Sequence, residues 1–397
     1  MTGREKWYKF IAGEDVGPMV SPLCDKWAVG DAEYAWSAGC RDGAGGGDAE
    51  NAGDCGAVDT ESRATGTPEW LEENHKQFAG QIMMARTFGW DPNFIAAVRF
   101  HPTDASLEPE EESETLANGG VRTKTTIRTP LGELTHISIK NGITESCVKD
   151  FLTDRSDFEK MIWYAERTMD FDREAALADG RRLRGYVGEL GVLGTWVSPS
   201  ASLSGIETLY YHLADYPLEF MKLYEARRER QKLYLDVYRE AGFDFMFYCV
   251  NGTDSTSPSF FDAWQAEETR ETISRWKASG GFTLWHSCGH IKAFVERGMY
   301  NEMLPEVFET LSEPPVGNIP SLSWARKRLD RRIITKGNIP LNILLEDTEE
   351  DVRAAVRRVC DQTAGFRHII GLSDNVLNGT PKANLHAFVD ESRRYRV

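Results

Sequence analysis

The spacing of apolar side chains changes period several times along the chain, and each change predicts an element. Residues 4–12 (REKWYKFIA) repeat at helical spacing, residues 13–17 form a glycine-bounded turn, and residues 18–24 (PMVSPLC) read as a first strand. Thr67-Pro68-Glu69-Trp70 offers an N-cap followed by proline at the first helical position, which predicts a helix running to about Thr87. FIAAVRF at 94–100 reads as a strand, and the acidic stretch 104–117 as a loop. Residues 121–129 (VRTKTTIRT) and 133–140 (ELTHISIK) alternate at period two about Pro130-Leu131-Gly132, so 121–141 is predicted to be a β-hairpin.

From about residue 154 the pattern becomes regular. Helices are predicted at 156–168, 171–185, 206–216, 217–242, 260–280, 291–299, 321–329, 348–365 and 381–395. Strands are predicted between them, at 186–197, 243–252, 281–289, 306–312, 332–339 and 366–374. Repeated strand–helix units of this length imply a parallel sheet. About eight such units, with no GxGxxG fingerprint, favour an α/β fold of the (β/α)8 TIM-barrel type over a doubly wound sheet. The hairpin would then be an N-terminal appendage, and residues 1–397 one domain. Residues 37–66 are rich in Gly, Ala and Asp, too poor in apolar groups to offset the entropy of ordering. They read as a flexible insertion, either a mobile lid or a surface segment with no special role.

Composition narrows the function classes. At 41% hydrophobic residues, a sizeable core can form. A net charge of −16 argues against nucleic acid and anionic membrane as partners. The seven cysteines are scattered, odd in number and without a CxxC pair, which suits a reducing cytosol. The first fifteen residues lack an apolar signal core, and no apolar run reaches 18 residues, so a cytoplasmic protein is expected.

In a barrel, chemistry sits at the C-terminal ends of the strands. The strand GFTLWHSCGH (281–290) ends in His286, Cys288 and His290, three alternate positions that share one face if the strand continues through Gly289. Imidazole beside thiol is competent to bind a metal or move a proton. A buried thiol and a hydrogen-bonded histidine in a packed wall is the competing account, and His290 reads as a helix cap. Asp374 ends another strand and is a ligand, a proton shuttle or a cap. Glu309, inside the apolar run VFETL, needs a partner if it faces inward, and would be a fourth ligand or a general acid. Asn251 and Asp254, after FMFYCV, are candidate substrate contacts or ordinary loop residues. Asn338 shapes a turn, and the RRER run at 227–230 reads as a solvated helix face.

The segments HSCG, ITKGNIPLNILLEDTEEDVRAAV and GLSDNVLNGTPKANLHAFV, with YCVNGTDSTSPSFFDAW, resemble the uroporphyrinogen decarboxylase superfamily over residues 150–397. One branch of that family decarboxylates uroporphyrinogen without a cofactor. It carries an arginine-bearing segment after the first strand, and the corresponding residues 21–27 (SPLCDKW) contain no arginine. The other branch contains corrinoid-linked methyltransferases with a His-x-Cys motif and a later cysteine. His286 and Cys288 match the motif, while Asp374 stands at the place of the later cysteine.

The resemblance therefore implies a methyltransferase that moves a methyl group between a small O-, N- or S-methyl donor and a cobalamin. Zn²⁺ would be held by His286, Cys288 and Asp374, with Glu309 and Asp374 serving catalysis. No DxHxxG-type cobalamin anchor occurs, so the corrinoid is expected on a partner protein or free, and a homodimer is compatible with this reading. A metal-independent decarboxylase or lyase of a small acid, and a non-catalytic ligand-binding barrel, are the alternatives.

Overall fold

The computed structural model describes residues 1–23, 69–141, 144–200, 206–377 and 379–395. The insertion at 37–66, Cys24 and the Thr67-Pro68 cap lie outside the described residues. The strands, in chain order, are β1 (Asn93–Ile95), β2 (Glu110–Thr115), β3 (Val121–Thr129), β4 (Gly132–Asn141) and β5 (Thr144–Lys149). Then come β6 (Val192–Val197), β7 (Phe245–Cys249), β8 (Phe282–His286), β9 (Val307–Glu309), β10 (Ile334–Ile339) and β11 (His368–Leu372). They form a seven-stranded sheet, ordered β1-β6-β7-β8-β9-β10-β11, and a four-stranded sheet, β2-β3-β4-β5. The pairs β1·β6, β8·β9, β9·β10 and β10·β11 are parallel, as alternating strands and helices require. Strands β7, β8, β10 and β11 are buried at every position, the mark of strands covered on both faces.

The described residues fall into two compact units. The first comprises Met1–Ala96, Val187–Gly194 and Leu284–Val397. Its opening helix, Gly3–Ala12, is set by a capping box in which Thr2 accepts from the Glu5 N–H. The segment after it does not form a long strand, but Val20 bridges Ile370 and Leu23 bridges Asn375, both parallel. Val20 also accepts from the Asp91 N–H at 2.6 Å, so this segment is bonded to β11 on one side and to the residues before β1 on the other. Asp91 ties the arrangement together. Its carboxylate takes Lys6 Nζ at 2.9 Å, Arg393 Nη1 at 2.6 Å and the Val20 N–H at 2.9 Å. One buried anion thus joins the first helix, the Val20 segment and the last helix, Lys382–Arg394.

The second unit comprises Ala97–Tyr186 and Thr195–Thr283. Here two expectations are corrected. The strand expected in FIAAVRF is present but short, since β1 takes in Phe94 and Ile95 and stops there. The acidic stretch 104–117 is not a loop: residues 110–115 form β2, which pairs with β3 from Glu110↔Thr126 to Thr115↔Val121. The glutamates are tolerated because β3 sets Arg122, Lys124 and Arg128 against Glu114, Glu112 and Glu110. The predicted hairpin is present, with Thr129↔Gly132 at its turn, but β2 and β5 widen it to four strands. Phe158, Leu209, Phe220, Leu223 and Phe260 bury this unit's helix faces together.

Replacing Asp91 with alanine would leave Lys6 and Arg393 facing each other without an anion. We expect a loss of roughly 3–5 kcal/mol, the range for breaking a buried ion pair from one side. Urea unfolding checks it, and an unchanged midpoint contradicts the clamp.

Candidate metal and proton-transfer site

Three neighbouring strands of the first unit place three ionisable side chains in one row. The register pairs His286 of β8 with Glu309 of β9, and Glu309 with Lys336 of β10. In parallel strands register partners point to the same face, so the row is imidazole, carboxylate, ammonium. All three are nearly inaccessible, at 3%, 1% and 1% exposure, which makes pairing obligatory. Glu309 Oε1 meets His286 Nδ1 at 2.7 Å, and Oε2 accepts from Lys336 Nζ. Burial works against the Glu309 charge, but Lys336 and His286 outweigh it and hold the carboxyl below its ordinary range.

The other face of the imidazole looks along the chain. His286 Nε2 lies 3.2 Å from Cys288 Sγ. Strand β8 ends at His286, so Cys288 is not a strand residue. The turn beyond still brings its thiol back to the ring. Burial opposes charge on His286, yet the Cys288 and Glu309 partners prevail and its pKa is pushed up to about 10.

The turn is fixed by Thr310, whose hydroxyl donates to Ser287 O at 2.6 Å and accepts from Ser287 N at 3.2 Å. Thr310 sits at φ 65°, a left-handed conformation rare for a β-branched residue, so the tie has a backbone cost.

The remaining candidates are placed as follows. Asp374 is half-buried two residues past β11, with Oδ1 accepting from the Asn375 N–H at 2.7 Å. Burial raises its pKa, His286 and the Asn375 N–H oppose this, and Cys288 and Glu309 reinforce it. Its oxygens do not join His286 and Cys288 in one group of close ligand atoms, so the structure does not bring the expected third ligand into place. Glu309 is not an open ligand either, because both its oxygens are engaged. Asn338 is not in a turn but inside β10, its Nδ2 donating to Leu311 O at 2.6 Å. His290 is exposed. In the second unit, Asn251 and Asp254 are both exposed on the loop after β7. Cys249 closes β7 there as a buried thiol.

Sequence reasoning passed over two of these groups. Lys336 stood in KGN as part of a presumed turn. Its signal was a lysine one residue before glycine in an apolar strand, where only a buried anion could keep it. Cys249 stood at the end of FMFYC, a strand-end thiol as favourably placed in sequence as Cys288.

The donor set can be tested against a Zn²⁺ ion. Zn–N of about 2.0–2.1 Å and Zn–S of about 2.3 Å in a tetrahedron put the two donors roughly 3.6 Å apart. The observed 3.2 Å needs an opening of a few tenths of an ångström. A ligating histidine normally gives its second N–H to a carboxylate, and Glu309 stands there. These two donors fit a Zn²⁺ ion, and neither Asp374 nor Glu309 stands with them as a third.

The Uroporphyrinogen decarboxylase (URO-D) family model matches residues 180–395, more than half of the chain. A solved methyltransferase from Methanosarcina mazei superposes with TM-score 0.60 at 14% identity, covering 99% of each chain. At that identity the likeness speaks for the fold alone. A B12-independent methionine synthase from Shewanella sp. W3-18-1 aligns more weakly, with TM-score 0.42 at 11% identity over 83% of this chain and 89% of that one. No curated protein matches the sequence significantly.

In the metal-free protein the imidazole charge should show in stability. Its folded pKa lies above the ordinary 6.5, so the pairing contributes fully below about pH 6.5 and is lost as the pH rises toward 10. Unfolding free energy should fall more steeply across that window than in a His286→Gln variant. Equal slopes would show that the ring is neutral.

Proposed function

The chain belongs to the uroporphyrinogen decarboxylase family, and from that premise we propose that it is a metal-assisted methyltransferase with a corrinoid as methyl acceptor. The observation that carries this reading is the Glu309–His286–Cys288 line: a carboxylate on one ring nitrogen and a thiol on the other. We read residues 1–397 as one eight-stranded (β/α)8 barrel domain, the Val20 segment serving as the strand between β11 and β1. We place the protein in a reducing cytoplasm, where its free thiols persist.

His286 Nε2 and Cys288 Sγ would hold the metal. When bound, it draws electron density from the donor's heteroatom and makes that atom a better leaving group. Glu309 takes the Nδ1 proton, fixing the tautomer that leaves the Nε2 lone pair toward the thiol. Lys336 keeps Glu309 ionised and aligned, so both are positioning residues.

Asp374 is the proton source. Burial favours its neutral form, and Oδ2 is the oxygen left to carry the proton once Oδ1 is held by the Asn375 N–H. The methyl group leaves an oxygen, nitrogen or sulfur for a Co(I) corrinoid, and that heteroatom takes the proton from Asp374. Asn251 and Asp254 are assigned to substrate contact on their exposed loop. The corrinoid arrives on a separate protein or free, and self-association into a homodimer is part of the reading.

Metal analysis of protein purified without chelator should give stoichiometric zinc. Cys288→Ser should lose it. Glu309→Gln should weaken metal affinity roughly 10–100-fold, as removal of a ligand's hydrogen-bond partner does. Methylation of Co(I) cobalamin, followed by absorbance with ether, amine and thioether donors, tests the transfer itself. Metal-free protein, or full activity in a His286→Ala, Cys288→Ala double variant, sinks the proposal in favour of a metal-independent lyase.

A further inference from the structure

The RRER run at 227–230 is exposed at Glu229 and half-buried at its three arginines. It lies in the helix Pro217–Glu240, and two of its arginines line a cavity of about 320 Å³ wholly within the second unit. Phe100, Trp196, Ser198, Arg227, Arg230 and Tyr234 form much of its wall. That volume falls at the lower end for small-molecule sites.

The walls are firm. Phe100 stacks on Tyr234 with ring centroids 3.7 Å apart. Trp196 Nε1 donates to Ser198 Oγ at 3.2 Å, and Gln231 Nε2 donates to Ser198 O at 2.8 Å. Arg230 uses Nη1 on Thr168 Oγ1 at 2.9 Å, which leaves much of its donor fork unspent.

Arg227 is the informative residue. Among the described residues it makes no hydrogen bond or ion pair, although every other arginine of the run is engaged. Glu268 and Asp150 attract it and Arg230 repels it, all from beyond pairing distance. Glu268 is itself committed to Ser200, accepting from the backbone N–H at 3.0 Å and from Oγ at 2.6 Å. Burial lowers the Arg227 pKa to about 10, so the group remains a cation at neutral pH. Arg227 and Arg230 are each half-buried, and two guanidinium groups that line one cavity repel each other unless an anion joins them.

We propose that this cavity binds a small aromatic carboxylate, its carboxylate held by Arg227 and Arg230 and its ring set among Phe100, Trp196 and Tyr234. The planar guanidinium fork matches a planar carboxylate, and the aromatic walls take a flat apolar body. This assignment stands on the second unit alone and does not depend on the methyl-transfer reading.

The test is ¹⁹F NMR titration of the full chain with 4-fluorobenzoate, beside the neutral 4-fluorobenzamide and inorganic phosphate. We expect saturable binding of the benzoate, weakened about tenfold or more in R227Q and less in R227K, which keeps the charge but not the fork. Equal binding of the benzamide, no loss in R227Q, or no benzoate binding at all would overturn the proposal. Phosphate binding tighter than benzoate would overturn the carboxylate assignment. Should R227Q fail to fold by circular dichroism, the three-probe comparison on the unaltered protein decides alone.

Discussion

A carboxylate buried between two cations is the constraint around which the candidate site is built. Glu309 could not stay ionised in a covered sheet by itself, because removing a charge from water costs more than a neutral interior returns. The register of three strands supplies Lys336 on one side and His286 on the other. Once Glu309 claims one ring nitrogen, the other has a single direction to face, and Cys288 is there. The position of the thiol follows from a charge-compensation problem solved in the body of the sheet.

This ordering explains what could be read from the sequence. The parallel strands were legible because both their faces are covered, leaving unbroken runs such as FMFYC and FTLWH. His286 and Cys288 were legible because polar groups at the end of such a run stand out. Lys336 was not, since its partner is 27 residues away and the pairing exists only through register. Asp374 was chosen for its place in the chain, but the loop past β11 turns its Oδ1 onto its own neighbour's N–H. The overlong strand at 94–100 and the missed strand within 104–117 have a common origin. Local composition judged FIAAVRF apolar enough for a strand and EEESET too acidic for one, while cross-strand partners decided both outcomes.

The two arginines of the second unit show the same limit from another side. A run of charges on a long helix normally faces water, and nothing local distinguishes Arg227 from Arg228. Helix phase separates them: Arg228 meets Glu271, while Arg227 turns to the aromatic wall. The cavity wall carries two half-buried cations, whereas the Glu309 row is fully buried and has its counter-charges built in.

Strand β2 has a further consequence. It is an edge of its sheet, exposed at all six positions, and edges of this kind can recruit strands from other chains. Here the free edge carries four glutamates in six residues. A second copy laid along it would set like charges side by side, so the acidity that hid this strand from a reading of the sequence also keeps the sheet from growing at this edge.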